Sequence, residues 1–338
     1  MKAVGLTRYL PIDDPQSLID LELPKPTASG HDLLVRVEAV SVNPVDTKVR
    51  SPKPQEESHP KVLGYDAAGV VEAVGEHVTL FQPGDEVYYA GDITRSGTNA
   101  QFHLVDERIV GRKPITLDFA QAAAMPLTTI TAWELLFHRM PYSIDAEDND
   151  RSLLIIAGAG GVGSIAIQLA RRAGFAVIAT ASRPETIDWC KAMGAQHVID
   201  HRQPLAPQLK ALGYPQVDAV LSLASTDRYW DAIGEIVAPL GHVGLIVEPA
   251  EALKIGGPYK DKSVGLHWEM MFARARFNTP DMIEQHRLLN RTASLIDAGE
   301  LRPTHTETLG PINADNLREA HRRLESGTTI GKLVLAGW

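Results

Sequence analysis

Residues 153–163 read Leu-Leu-Ile-Ile-Ala-Gly-Ala-Gly-Gly-Val-Gly, and this stretch decides the fold. Its apolar first half predicts a buried strand over Leu153–Ala157, and its second half fits the pattern G-x-G-x-x-G. An amphipathic helix is predicted directly after it, over Ser164–Arg172. A glycine pattern between a strand and a helix is typical of a loop that binds the pyrophosphate of a dinucleotide. We therefore predict dinucleotide contacts from these loop residues: Gly158, Ala159, Gly160, Gly161, Val162 and Gly163.

The three glycines of the pattern are expected to serve different purposes. Gly158 would permit a tight turn, Gly160 would let the backbone approach the pyrophosphate, and Gly163 would let the helix pack on the strand. The N-terminus of the helix adds unpaired N–H groups and a partial positive charge. The alternative interpretation is a glycine-rich turn that binds nothing.

Strands and helices alternate after this loop. Each predicted strand is short and apolar, as expected when helices cover both faces of a parallel sheet. The strands are predicted over Phe175–Thr180, His197–Ile199, Val217–Leu223 and His242–Val247. The sequence therefore predicts a doubly wound parallel sheet.

The residues before this region predict β structure. Short strands such as Leu33–Val40, separated by turns such as Pro83-Gly84-Asp85, indicate a partly closed β-barrel. The segment Ser51–Pro60 is rich in Pro, Glu and Ser, and it is predicted to be a mobile loop. The chain ends in a predicted strand over Lys332–Leu335. We predict an α/β fold whose third segment completes the first, with boundaries at 1–126, 127–271 and 272–338.

The residues after the second predicted strand distinguish NAD from NADP. A carboxylate there would bind the 2′-hydroxyl of the adenosine ribose and repel a 2′-phosphate. Here Phe175–Thr180 is followed by Ala181-Ser182-Arg183, which offers a hydroxyl and a guanidinium instead. We therefore predict NADPH. The same residues also fit a helix capping box from Ser182 to Glu185, in which case Arg183 would be a solvated surface charge.

The composition excludes several classes of protein. There are 33 Lys and Arg against 42 Asp and Glu, and the resulting net charge of −9 disfavours binding to nucleic acids or anionic membranes. The single cysteine, Cys190, excludes an intrachain disulfide and a zinc site made of several cysteines. No signal peptide or membrane span is expected, so we predict a cytoplasmic protein with a small-molecule substrate.

Four segments together resemble the medium-chain dehydrogenase/reductase superfamily. They are Val42–Asp46, Leu63–Val71, Pro83–Val87, and the glycine loop with the Gly331-Lys332 ending. The chain is most similar to the zinc-free quinone oxidoreductase branch, in the subgroup of zinc-type alcohol dehydrogenase-like proteins. The resemblance implies a GroES-like β-barrel catalytic domain and a Rossmann NADP-binding domain, with the active cleft between them. It also implies a homodimer or a tetramer.

The resemblance also indicates where zinc would bind if it were present. Zinc alcohol dehydrogenases of this superfamily hold the catalytic ion with Cys, His and Cys, at places that fall near Asn43, Tyr65 and Leu127 here. None of these side chains is a comparable ligand, and zinc needs three protein ligands plus one open position. We therefore expect no metal.

The resemblance assigns further coenzyme contacts. Ser182, Arg183 and His201 would surround the 2′-phosphate, and Thr131 would approach the nicotinamide. The path of the adenosine and the nicotinamide ribose would be lined by Leu223, Ala224 and Ile246.

Without a metal, hydrogen-bond donors must stabilise the charge that develops on the oxygen of a reduced substrate. Asn43 and Tyr65 are the predicted donors, and Lys48 is a third candidate catalytic residue, as a cation in the cleft. Lys48 stands where several quinone reductases have an aromatic residue, and this difference leaves the substrate class open. The alternative is that Asn43 caps a turn, Tyr65 fills space and Lys48 is solvated.

These observations favour a zinc-independent, NADPH-dependent oxidoreductase that transfers hydride to a quinone or an α,β-unsaturated carbonyl. Two alternatives remain open: a zinc-dependent alcohol dehydrogenase, and an NADPH-binding structural or interaction protein without turnover. The alternating apolar run Ser263–Met271 is expected to form an edge strand that pairs across a dimer axis, with an ordinary covered edge as the alternative.

Overall fold

The structure is a computed structural model that describes residues 1–146 and 149–338. The chain divides into two units. The first unit comprises Met1–Ile130 together with Phe272–Trp338, and the second comprises Thr131–Met271. The C-terminal segment therefore returns to the first unit after the second has been completed.

Short strands and helices make up the N-terminal segment. In chain order they are β1 (Lys2–Tyr9), β2 (Ile19–Glu22), β3 (Asp32–Ser41), α1 (Pro44–Arg50), β4 (Lys53–Val62), β5 (Ala67–Val74), β6 (Glu86–Tyr89), β7 (Phe102–Asp106), β8 (Val110–Arg112), α2 (Phe119–Ala123) and α3 (Pro126–Trp133). A 3₁₀ turn over Glu107–Ile109 joins β7 to β8.

The middle segment starts with a π-helical turn over Glu134–Arg139, which continues α3. Strands and helices then alternate. They are β9 (Ser152–Ile156), α4 (Gly161–Arg172), β10 (Ala176–Thr180), α5 (Pro184–Ala192), β11 (His197–Ile199), α6 (Leu205–Ala211), β12 (Val217–Ser222), α7 (Thr226–Ile236), β13 (Val237–Leu245), α8 (Pro258–Asp261) and β14 (Gly265–Trp268).

The C-terminal segment is mostly helical. It contains α9 (Ala273–Arg276), α10 (Glu284–Asp297), β15 (His305–Thr308), α11 (Ala314–Glu325) and β16 (Lys332–Ala336). Among the described residues, no helix combines the length and the apolar composition that crossing a membrane requires.

Mostly antiparallel sheets form the first unit. One has the strand order β2-β1-β4, and the other has the order β15-β16-β3-β5-β6-β8, with β7 also paired to β3. The last strand, β16, lies antiparallel to β3 with Leu335 opposite Val40, and apolar side chains of both strands enter one core. This pairing carries Lys332, which is only 3% exposed, into the interior of the unit.

The prediction of a mobile loop over Ser51–Pro60 is wrong. Most of this segment belongs to β4, which pairs antiparallel with β1 through Val62 opposite Gly5 and Lys53 opposite Tyr9. The strand lies at the edge of its sheet and most of its side chains are exposed, so no alternation of apolar residues marks it. Proline is tolerated at such an edge because the missing N–H need not donate to a neighbour.

The second unit confirms the predicted doubly wound parallel sheet. Its strand order is β11-β10-β9-β12-β13-β14, and each neighbouring pair is parallel. The side chains of β9 are buried throughout, as expected of a central strand covered on both faces. The chain order reverses between β9 and β12, and the glycine loop follows β9 at this switch point. In open parallel sheets ligands bind at such a point, beyond the carboxyl ends of the strands.

Candidate functional site

The dinucleotide loop connects β9 to α4, and its glycines have different surroundings. A Cβ atom added at Gly163 would lie 2.5 Å from the carbonyl oxygen of Ala157, so the close contact between α4 and the loop requires glycine there. A Cβ atom at Gly160 would lie 3.6 Å from the same oxygen, which is ordinary contact. The packing of the chain therefore does not require glycine at 160, whereas the approach of a pyrophosphate to the backbone does. The loop fits a dinucleotide.

The predicted reason for Gly158 is wrong. The left-handed conformation of the turn falls on Ala157, whose φ is 64°, and not on Gly158. A Cβ atom at Gly158 would lie 2.7 Å from Cβ of Ala179 and 3.1 Å from Sγ of Cys190. Glycine at 158 thus lets the loop pack closely on β10 and α5.

Helix α4 begins at Gly161, immediately after the turn, with Gly160 as its N-cap. At any helix N-terminus the first N–H groups have no acceptor within the helix, and the helix dipole adds partial positive charge. The backbone of Gly161 and Val162 is therefore suited to phosphate oxygens, as the sequence predicts. Ala159 lies in the turn itself and is buried.

The predicted 2′-phosphate residues follow two neighbouring strands. Ser182 and Arg183 come after β10, and His201 comes after β11. Arg183 is the N-cap of α5, and its backbone N–H donates to Oγ1 of Thr186 over 3.1 Å. The alternative capping box that starts at Ser182 is therefore wrong by one residue, because proline at 184 requires an extended residue directly before it.

Sequence reasoning missed Arg202. Its Nη2 donates to the carbonyl oxygen of Ser182 over 2.9 Å, which brings a second guanidinium to the predicted 2′-phosphate residues. The available signal was its position directly after His201. That signal is weak, because side chains of a turn point in different directions.

The other predicted coenzyme residues are distributed as follows. Leu223 and Ala224 come directly after β12, and Ile246 comes directly after β13. These strands are parallel, so their carboxyl ends share one edge of the sheet with the glycine loop. Thr131 is a buried residue of α3.

In the first unit, Asn43 and Asp66 form a buried polar network with Lys332. Nδ2 of Asn43 donates to Oδ2 of Asp66 over 2.8 Å, and Nζ of Lys332 donates to the same carboxylate oxygen over 3.0 Å and to Oδ1 of Asn43. The backbone N–H of Leu127 donates to the other oxygen of Asp66 over 2.8 Å. Asn43 and Leu127 thus donate hydrogen bonds to the carboxylate of the Asp66–Lys332 ion pair, and Tyr65 directly precedes Asp66 in the chain.

This network does not fit a zinc ion. The ammonium of Lys332 already donates to the Asn43 oxygen, and Leu127 contributes only a backbone N–H. Zinc prefers thiolate, imidazole and carboxylate ligands, and a lysine ammonium beside the site would repel it. Within residues 1–146 and 149–338, no group of three or more His, Cys, Asp or Glu side chains is arranged to hold a metal ion.

The network also shows which groups engage the side chain of Asn43. Its amide donates to Asp66 and, over 3.4 Å, to the carbonyl oxygen of Tyr65, so both N–H groups are engaged inside the protein. Asn43 is also the N-cap of α1. Lys48 lies on the same helix with an exposed side chain, in keeping with a solvated lysine.

Tyr65 differs from these residues because its hydroxyl has no hydrogen-bond partner among the described residues, although the side chain is 1% exposed. The ring packs edge-on against Phe272, with 5.3 Å between ring centroids. Burial and the carboxylate of Asp46 raise the pKa of Tyr65, so the phenol keeps its proton at neutral pH. A buried hydroxyl without a partner is costly, and such a group often serves a ligand.

Asp46 is a second buried group with an unpaired atom. Its Oδ2 accepts the N–H of Asn43 over 2.6 Å, whereas its Oδ1 has no partner among the described residues. Burial raises the pKa of Asp46 to about 7, even though the Asn43 N–H and Lys332 oppose this shift. In the unfolded chain the pKa of an aspartate is about 3.9.

This difference predicts a pH-dependent stability. Between pH 4 and 7 the folded protein binds the Asp46 proton more tightly than the unfolded chain, so stability falls as the pH rises through this window. Three pKa units correspond to about 4 kcal/mol. We expect Asp46→Asn to lack this loss. The free energy of unfolding of the variant minus that of the wild type should therefore increase by several kcal/mol from pH 4 to pH 7. Urea denaturation at each pH measures the difference.

The matched control is Asp13→Asn, because Asp13 is an exposed carboxylate paired with Arg322. We expect this variant and the wild type to show parallel pH curves. Parallel curves for Asp46→Asn would show instead that the Asp46 carboxyl is charged in the folded protein at neutral pH.

Two protein-family profiles match this chain. The profile of the family described as alcohol dehydrogenase GroES-like domain matches residues 29–126, and that of the zinc-binding dehydrogenase family matches residues 193–335. A zinc-type alcohol dehydrogenase-like protein of Staphylococcus aureus is 43% identical over 336 residues, which cover 99% of each chain.

Solved structures extend the comparison. A protein of Rhizobium etli CFN 42, assigned to the zinc-dependent alcohol dehydrogenases, is 56% identical with a TM-score of 0.94, and the match covers 100% of this chain and 98% of that one. The quinone oxidoreductase of Escherichia coli, solved with NADPH, is 25% identical with a TM-score of 0.83, covering 99% and 100%. These matches confirm the predicted fold class of a GroES-like domain plus a Rossmann domain. The chain belongs to the medium-chain dehydrogenase/reductase superfamily, in its quinone oxidoreductase-like branch.

Proposed function

We propose that the protein is a zinc-independent, NADPH-dependent oxidoreductase that reduces a quinone or an α,β-unsaturated carbonyl. The superfamily supports an oxidoreductase, and the glycine loop supports a nicotinamide dinucleotide. The observation that carries the finer proposal is the buried, unpartnered hydroxyl of Tyr65, a residue whose backbone carbonyl accepts a hydrogen bond from Asn43 of the Asn43–Asp66–Lys332 network.

The chemistry of the substrate class suits this hydroxyl. A bound NADPH would supply a hydride to a carbon of the quinone or enone. Negative charge then develops on the substrate oxygen, and a hydrogen-bond donor must stabilise it. Tyr65 would donate a hydrogen bond from its O–H to that oxygen, because the phenol is protonated at neutral pH, and a proton from solvent would complete the reduction. Asn43, held by Asp66 and Lys332, would position the backbone of Tyr65.

The coenzyme would bind along the carboxyl edge of the parallel sheet. The glycine loop and the start of α4 would hold the pyrophosphate, while Ser182, Arg183 and His201 would face the 2′-phosphate. No carboxylate directly follows β10, which favours NADPH over NADH.

Tyr65→Phe tests the role of the hydroxyl. The variant keeps the ring contact with Phe272 and removes a group that has no partner in the protein, so we expect it to fold as well as the wild type. With quinone and enone substrates, we expect kcat to fall about 10- to 100-fold while the Kd of NADPH stays the same. Stopped-flow absorbance of NADPH oxidation measures kcat, and NADPH fluorescence measures the Kd.

Tyr89→Phe is the control for this variant, because Tyr89 is a buried tyrosine of the same unit whose hydroxyl already pairs with His103 over 3.2 Å. Its kcat should stay at the wild-type value. A Tyr65→Phe variant that turns over at the wild-type rate would remove Tyr65 from the mechanism.

The two alternative functions give different results. Stoichiometric zinc in the purified protein, with activity lost to chelators, would favour an alcohol dehydrogenase. Tight NADPH binding without oxidation by any quinone or enone would favour an interaction protein, because binding and turnover would then be separate.

We also propose that the protein is a cytoplasmic homodimer, or a pair of dimers, joined through β14. This strand lies at the edge of the parallel sheet, and Trp268 at its end is half exposed. An open edge offers unpaired backbone groups to a second copy. Light scattering of the wild type and of a Leu266→Pro variant tests the interface, since proline removes one donor from the edge.

A further inference from the structure

The turn after β11 lies against the segment after β10. The two strands are parallel neighbours, with Thr180 opposite Ile199, and the N–H of Ala181 donates to the carbonyl oxygen of Ile199 over 3.0 Å. Residues that follow these strands are therefore side by side, although about twenty positions separate them in the chain. This places Arg202 beside Ser182.

Arg202 is held on two sides. Its Nη2 donates to the Ser182 carbonyl oxygen over 2.9 Å and to Oδ2 of Asp200 over 2.7 Å, and its Nε donates to Oδ1 of Asp200 over 3.0 Å. These hydrogen bonds from Arg202 hold the pKa of Asp200 at about 2, so the ion pair persists over the physiological pH range. The guanidinium is therefore fixed in orientation although its side chain is 59% exposed.

One edge of this guanidinium remains available. No hydrogen bond joins Nη1 of Arg202 to any residue in the described ranges 1–146 and 149–338. Arg183, by comparison, has its Nε 3.2 Å from the carboxylate of Glu185 on its own helix. An oriented guanidinium whose Nη1 keeps free N–H donors is suited to charge-assisted hydrogen bonds to phosphate oxygens.

The surrounding charges favour an anion. His201 lies between Asp200 and Arg202 in the chain. Burial lowers the pKa of His201, and the positive charges of Arg228 and Arg202 lower it further, against the opposing effect of Asp200. Arg183, Arg202 and Arg228 thus contribute positive charge around the ends of β10 and β11.

We propose that Arg202 is the principal ligand of the coenzyme 2′-phosphate and the residue that determines the preference for NADPH over NADH. The proposal rests on the proposed function in so far as that function requires NADPH. Arg202 would bind the phosphate through Nη1 while the Ser182 carbonyl and Asp200 keep the guanidinium in place. Arg183, whose Nε is paired with Glu185, would face the phosphate as a secondary and weaker contact.

The test uses the intact protein and measures binding, so it does not depend on a substrate. The variants are Arg202→Met, Arg202→Lys and Arg183→Met, with Arg171→Met as the control, because Arg171 lies near the opposite end of α4. Fluorescence titration gives the Kd of NADPH and NADH, and calorimetry compares 2′,5′-ADP with ADP. We expect Arg202→Met to weaken NADPH and 2′,5′-ADP about 10- to 100-fold and to leave NADH and ADP within twofold.

The other variants test which arginine binds the 2′-phosphate. Arg202→Lys keeps the charge but loses the planar group that Asp200 and Ser182 hold in a fixed orientation, so we expect it to lose most of the preference as well. Arg183→Met should weaken NADPH less than fivefold, and Arg171→Met should change nothing.

Two different failures are distinguishable. If the wild type prefers NADPH and Arg202→Met keeps that preference, Arg202 is not the ligand, and the proposed coenzyme stands. The same conclusion follows if Arg183→Met alone abolishes the preference. If the wild type binds NADH as tightly as NADPH, both the proposed coenzyme and the role of Arg202 are wrong.

Discussion

Replacing Lys332 by methionine is expected to lower the free energy of unfolding by about 3–5 kcal/mol, because it leaves a buried carboxylate without its partner. Methionine has a similar length and volume, so packing changes little. The lost interactions are polar: Nζ of Lys332 donates to the carbonyl oxygen of Val42 over 2.8 Å, to Asn43, and to Asp66 over 3.0 Å. Burial raises the pKa of Asp66, and Lys332 is the main group that opposes this shift.

The pH gives this prediction a second readout. Without Lys332, the pKa of Asp66 rises further, so part of the lost stability should return at low pH, where the carboxyl is protonated. Urea denaturation followed by circular dichroism at pH 5 and pH 8 measures both effects. The control is Lys25→Met, since the pair of Lys25 with Glu72 is exposed and should contribute at most about 1 kcal/mol.

A double variant separates charge from packing. Lys332→Met combined with Asp66→Asn removes both charges, and we expect it to be more stable than Lys332→Met alone. If the free energy of unfolding of Lys332→Met lies within about 1 kcal/mol of the wild-type value, the ion pair does not stabilise the site. The proposed role of Asn43 in positioning Tyr65 then loses its support.

Replacing Gly163 by valine is expected to weaken dinucleotide binding at least about 100-fold. Even the first carbon of the side chain would lie 2.5 Å from the carbonyl oxygen of Ala157 and 2.6 Å from that of Gly158. Because these contacts are with backbone, the clash can be relieved only by moving α4 away from the loop. The N–H groups of the first turn would then no longer face the pyrophosphate. Fluorescence titration with NADPH measures the loss.

Gly160→Ala keeps the prediction testable if Gly163→Val does not fold. The protein itself tolerates a methyl group at 160, at 3.6 Å from the nearest atom, so this variant should keep the wild-type melting temperature. It should still bind NADPH more weakly, because the methyl group occupies space that the pyrophosphate needs. Gly256→Ala is the matched control, since nothing lies within 4 Å of its Cβ position. Unchanged NADPH binding in Gly160→Ala would show that the dinucleotide does not pass over this residue.

The parallel sheet and the glycine loop could be predicted because their signals are local. Buried strands such as β9 are continuously apolar, and the loop follows within the same dozen residues. Strand β4 escaped prediction because an edge strand with two exposed faces has no pattern to distinguish it from a polar loop. Its pairing with β1 depends on residues about fifty positions away.

The candidate site also combines features that the sequence predicts with features that only the tertiary structure decides. Sequence alone determined the residue types: glycines where a dinucleotide must approach, no cysteine near the place of zinc, and a tyrosine and an asparagine instead. Only the tertiary structure decided which of these polar groups is already satisfied. Asn43 is engaged by Asp66 and by Lys332, which is 289 positions away, whereas the hydroxyl of Tyr65 has no partner in the described part of the chain. The physical reason is that a buried polar side chain must pair with whatever group folding brings within about 3 Å. The residues next to that group in the sequence do not indicate the pairing.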